Sequence, residues 1–225
     1  EIPADAQNDP AEEVPFTLWS QYLDMIIFPD HKTTQQQRSH IGYTLKLVVE
    51  SMLLHARAGD IPRFLGALLH YYDDPEHTDA DTAFTLLDAA CYLPPKHYGE
   101  QTREKLIRFA AHFAASDDLR LTTAALQFLR ETERNIPRSH PQMARIVEIA
   151  RSVQGTQLTT VFLKSKILRR AGEDVSDLEE LLYQTDITSE VFLDNLKIAT
   201  PWIVKVAGVD LLRDQVDHGA QEVGS

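Results

Sequence analysis

Along most of the chain apolar residues recur every three or four positions, the spacing that gathers them on one side of an α-helix. FTLWSQYLDMIIF (16–28) is the first such segment, and Pro29 stops it. A long helix is predicted from Thr33 or Thr34, with Ile41, Leu45, Val48, Val49, Met52 and Leu53 as its stripe and Gly59 just past its end. Asp60 is a natural N-cap, with Pro62 tolerated in the first turn, for a helix running to about Tyr72. Further helices are predicted over 79–93, ended by Pro94 and Pro95, and over 99–115, with Leu106, Ile107, Ala110 and Phe113 inward. Asp117 or Asp118 caps the next, which stops before Pro137. Another follows Ser139 and closes at Gly155, and Thr156 begins one closed by Gly172. Shorter helices are expected over 176–184 and 188–199, and Thr200 with Pro201 opens the last. The pattern predicts about eleven helices and no strand, an all-α fold.

Three of these segments look alike: TAFTLLDAA (82–90), TTAALQFLR (122–130) and TTVFLKSKIL (159–168). Thr82, Thr123 and Thr160 lie 41 and 37 residues apart. The first two are followed by a proline-bearing turn and a second helix, EKLIRFAAHF and MARIVEIARS, and the third by Gly-Glu-Asp. The spacing resembles HEAT and armadillo repeats, whose units run about 40–47 residues. That resemblance covers 82–184 and implies an α-solenoid, in which helix pairs stack because none covers its own apolar face. An irregular helical bundle is the alternative.

Composition narrows the picture. The chain is 43% hydrophobic and 25% charged, suited to a globular core. Residues 1–15 are an exception, with five acids, three prolines and no base, and they read as an acidic disordered linker or tail. A single helical domain is expected over 16–216, followed by a frayed tail over 217–225. The linker suggests a piece of a larger protein or a subunit of a complex. The net charge of −12 repels phosphate backbones, which argues against nucleic acid as a partner, and no apolar run reaches the length of a membrane span. Cys91 is the only cysteine, so no intrachain disulfide forms. Its setting, LLDAACYL, reads as a buried structural thiol in a reducing, intracellular compartment.

Candidate chemistry centres on GALLHYYDD (66–74), where His70 and Asp74 share one helical face if the helix continues. His40 and His70 fall on successive helices and could meet, whereas His40 and His55, fifteen apart on one helix, are about 22 Å apart and could not share an ion. The order of His40, His70 and a late Asp210 in KVAGVDLLRD resembles the HD-superfamily phosphohydrolases. That likeness implies a metal-dependent phosphate ester hydrolase. Tyr71 stands where that family pairs Asp with His, and the nearest acids are Asp73 and Asp74. Read by itself, HYYDD is a helix terminus: Leu65, Leu68 and Leu69 face inward, Tyr71 and Tyr72 put polar tips at the surface, and the acids belong to the turn before Pro75. In this reading no residue is assigned as a catalytic, cofactor or metal site.

Two further features bear on partners. In 156–170, Lys166, Arg169 and Arg170 share a side with Phe162, while Lys164 falls among apolar residues. Either the helix packs on two sides with Lys164 snorkelling, or the bases form a rim for an acidic partner. Trp19 and Trp202 are core or interface residues near the two ends. The function expected from these features is a non-enzymatic scaffold or adaptor that binds other proteins.

Overall fold

The computed structural model describes residues 60–93, 98–155, 157–184, 208–214 and 216–217. Every regular element among these residues is a helix: α1 (Asp60–His70), α2 (Ala80–Tyr92), α3 (Glu100–Ala114), α4 (Leu119–Arg134), α5 (Pro141–Ser152), α6 (Leu158–Ala171) and α7 (Ser176–Gln184). Residues 208–214 are also helical. The expected helices over 16–28, 33–59 and 188–199, the Thr200-Pro201 start, and Trp19, His40, His55 and Trp202 lie outside the described residues. Among the described residues no helix is long and apolar enough to cross a membrane.

The helix starts follow local chemistry. Asp79 accepts from the N–H groups of Asp81 and Thr82, at 3.1 and 3.0 Å, and so satisfies two amides the first turn leaves open. Asp118 does the same for Arg120 N–H at 2.9 Å. The start of α5 departs from expectation: the cap is His140, whose Nδ1 accepts from Gln142 N–H, with Pro141 in the first helical position. Ser139 stands one residue too early. Gly172 ends α6 at φ +89°, where glycine avoids the clash a Cβ meets. Glu173 N–H then reaches Leu168 C=O and Gly172 N–H reaches Arg169 C=O, the paired bonds of a left-handed helix stop.

Helices pack on their successors and on the helix after. α4 lies against α2, α3 and α6 and more lightly against α5; α3 packs on α5, α5 on α6, and α6 on α7. The three similar segments are therefore α2, α4 and α6, and α4 sits between the other two. Thr82, Thr123 and Thr160 are all buried. Leu106, Ile107, Ala110 and Phe113 face the core as expected, joined by Phe109, whose ring meets Tyr72 edge-on at 5.0 Å.

The burial of α4 is more complete than a simple stack requires. All ten residues from Leu121 to Arg130 are buried, which covers every side of the helix. A helix in an open two-layer stack keeps one face toward solvent. Residues 208–214 meet α4 here, with Leu211 wholly buried and Asp210 bonded to Arg130 of α4.

Candidate functional site

The end of α1 resolves the HYYDD segment. The helix stops at His70, and Tyr71, Tyr72 and Asp73 continue as turns bonded to Leu68, Leu69 and His70 carbonyls. His70 points to solvent, its side chain 82% exposed, and its Nδ1 lies 3.3 Å from Asp73, not Asp74. Asp74 instead meets His77 at 2.8 Å. Ending the helix at His70 removes the i, i+4 relation that would have joined His70 to Asp74. Lys105 of α3 reaches Asp73 at 2.6 Å, and this bond chiefly holds the Asp73 carboxyl below its usual range. His77 is raised by its bond to Asp74.

Tyr72 differs from expectation. Its side chain is buried, not at the surface, and its hydroxyl donates to Leu86 C=O at 2.7 Å. Burial pushes the phenol well above its ordinary value, with Cys91 and Asp88 adding to the effect. The Cys91 residue is half-buried, and its thiol is pushed up by desolvation and then by Asp88 and Glu131. A thiol held protonated in this way is a poor nucleophile. Nearby Tyr98 is raised to about 12, again mainly by burial.

Asp210, the late acid of the hydrolase pattern, is bonded to Arg130 at 2.9 Å. Among the described residues no three His, Cys, Asp or Glu side chains come together to hold a metal ion. A shallow, open cleft of about 580 Å³ lies between the starts of α3 and α5, lined by Glu100, Gln101, Glu104, Pro141, Gln142 and Arg145. Its buried group, Gln142, is already engaged: Nε2 donates to Glu100 C=O and Glu104, and Oε1 accepts from Arg103. The cleft therefore offers no free buried polar group.

The densest charged arrangement joins α4, α6 and 208–214, and only part of it is legible from the sequence. Phe162 of α6 is buried beneath two cations, Arg130 at 5.5 Å from its ring centre and Lys166 at 5.1 Å. Cations over an aromatic face are held by the ring quadrupole. Lys166 pairs with Asp214, and Arg130 with Asp210. Arg170 pairs with buried Glu133 and also donates to the carbonyls of Arg134 and Ile136, both at 3.3 Å. Desolvation nonetheless raises the Glu133 carboxyl above its ordinary value, against the pull of Arg170, Arg134 and Arg130.

Each cation of α6 is committed inside the chain. Lys164 carries its head to a polar rim, where its Nζ donates to Val153 C=O at 2.9 Å and Arg151 C=O at 3.4 Å, completing the end of α5. Burial lowers its pKa. Arg169 pairs with Glu179 of α7. Of the two readings of these bases, the packed helix describes them: the cations fasten α6 to its neighbours. The same device recurs: Lys105 reaches the Leu69 carbonyl at the end of α1, Lys164 the end of α5, and Arg170 the end of α4. A helix C-terminus carries open carbonyls and partial negative charge, so a cation from another helix satisfies both.

Compared with protein-family models, curated proteins and solved structures, the chain has no significant match. The likenesses to HEAT-type repeats and to HD-type hydrolases therefore rest on the residues alone.

Proposed function

We propose that the chain is a non-enzymatic helical scaffold or adaptor module that mediates protein–protein interaction within a larger protein or complex. The observation that supports this reading is the succession of helix contacts. α2 packs on α4 and α4 on α6, while α3 packs on α5. We read this as an α-solenoid of HEAT-like type whose central helix is covered by the later segment 208–214. Such stacks generate long surfaces from repeated units and end in edges that need covering. Leu181 of α7 and Val209, 42% and 50% exposed, supply apolar surface toward the later part of the chain.

Affinity capture with the chain tests the reading, alongside a Leu181→Glu/Val209→Glu variant that keeps the helical circular dichroism of the parent. Reproducible capture of a defined protein by the parent, lost in the variant, is expected. Capture of nothing reproducible overturns it. So does stoichiometric Mn, Fe, Zn or Mg in the purified chain that disappears in a His70→Ala variant.

A further inference from the structure

We propose that residues 208–214 form a salt-released latch, which leaves and re-enters the cradle made by Arg130, Phe162 and Lys166 while the α2–α6 core stays folded. Among the described residues the segment is held by two ion pairs and by Leu211 and Leu212, which pack on the core. Asp210 and Asp214 are one helical turn apart, and each binds a cation on a different helix, Arg130 on α4 and Lys166 on α6. Between them Leu211 is wholly buried, whereas Val209 and Val216 remain exposed. Both acids are about a quarter exposed, so dissolved ions reach these pairs.

The core does not depend on the segment in the same way. α4 and α6 are joined to each other and to α2, α3, α5 and α7 by their own packing. When the latch leaves, Arg130 and Lys166 keep their places over Phe162 and gain water. The neighbouring buried carboxylate, Glu133, keeps its own partner Arg170. Undocking frees two cations on neighbouring helices, Arg130 and Lys166, placed to receive the two carboxylates of 208–214. The inference is independent of the scaffold reading, since it concerns how this chain closes on itself.

Hydrogen exchange read by mass spectrometry on the full chain tests it. Raising salt from low to molar concentration is expected to speed exchange in peptides covering 208–217 while α4 peptides stay protected. Asp210→Asn/Asp214→Asn at low salt is expected to speed that region about tenfold, the factor for losing two partly exposed ion pairs. A Lys166→Glu/Asp214→Lys swap is expected to recover protection relative to Lys166→Glu alone. Exchange in 208–217 that ignores salt in the unmodified chain overturns the proposal, whatever the variants do. Loosening of α4 and α6 to the same degree as 208–217 also overturns it, as does a swap that restores nothing while α4 stays protected.

Discussion

Two glycines show how a single position can carry opposite signs. Gly172 sits at φ +89°, and an alanine there costs about 1–2 kcal/mol, because that backbone conformation presses a Cβ against its own following carbonyl although the surroundings leave room. Gly66 lies inside α1 with open space where a Cβ would go, so alanine there gains about 0.5–1 kcal/mol of helix propensity. Denaturant midpoints for Gly172→Ala and Gly66→Ala are expected to move in opposite directions. Asp118 supplies a pH signature. Bonds from the Arg120 side chain, and then from backbone N–H groups, lower its folded pKa. A carboxyl lowered on folding adds stability that is complete above the unfolded value, about pH 4, and is lost as pH falls through the folded value. Asparagine also caps helices, so Asp118→Asn isolates the charge. The variant is expected to be less stable by about 0.3–1 kcal/mol at pH 7, with the gap closing below about pH 4 in urea melts.

At the scale of elements, the fastening of helix ends by distant cations makes a direct prediction. Lys164→Met keeps the stem of the side chain but leaves the Val153 and Arg151 carbonyls without their donor. The expected cost is about 1–3 kcal/mol, the range for bonds to a charged donor. Arg145, paired with Glu148 on the open face of α5, is the control: Arg145→Ala is expected to cost under about 0.5 kcal/mol. Chemical denaturation of the two variants side by side checks both. The difference also marks where sequence reasoning stops. The order and approximate bounds of α2 to α7 were legible because caps, prolines and the closing Gly172 act within a few residues. The partners of Lys164 and Tyr72 are not legible because they lie 11 and 14 residues away, and nothing in the local pattern says that a carbonyl waits there. The HYYDD segment was half legible: its terminus was read correctly, but the end at His70, which directs Asp73 rather than Asp74 toward the imidazole, depends on where the turn tightens.

For the whole molecule the decisive feature is α4, closed in on all sides. A helix in that position couples every neighbour, so damage to it is not local. Leu126, fully buried, contacts that central core, and Leu126→Ala is expected to cost about 2–5 kcal/mol. Far-ultraviolet and near-ultraviolet circular dichroism are expected to lose their signals together, at one lowered temperature. Separate transitions by the two probes would show that the core is not a single unit. The three similar segments were visible as a period in the sequence, and their adjacency as α2, α4 and α6 follows that period. What the period could not convey is the contact of 208–214 with α4, because Asp210 lies 80 residues from the arginine it meets.

The cations that finish helix ends also impose an order in time. The open carbonyl at the end of α1 is met by Lys105, 36 residues later, and those at the end of α4 by Arg170, 34 to 36 residues later. On a ribosome the earlier helix emerges before the residue that completes it. Synthesis rate and a pause before α6 therefore bear on how long the unfinished ends of α4 and α5 stand open to the wrong neighbours.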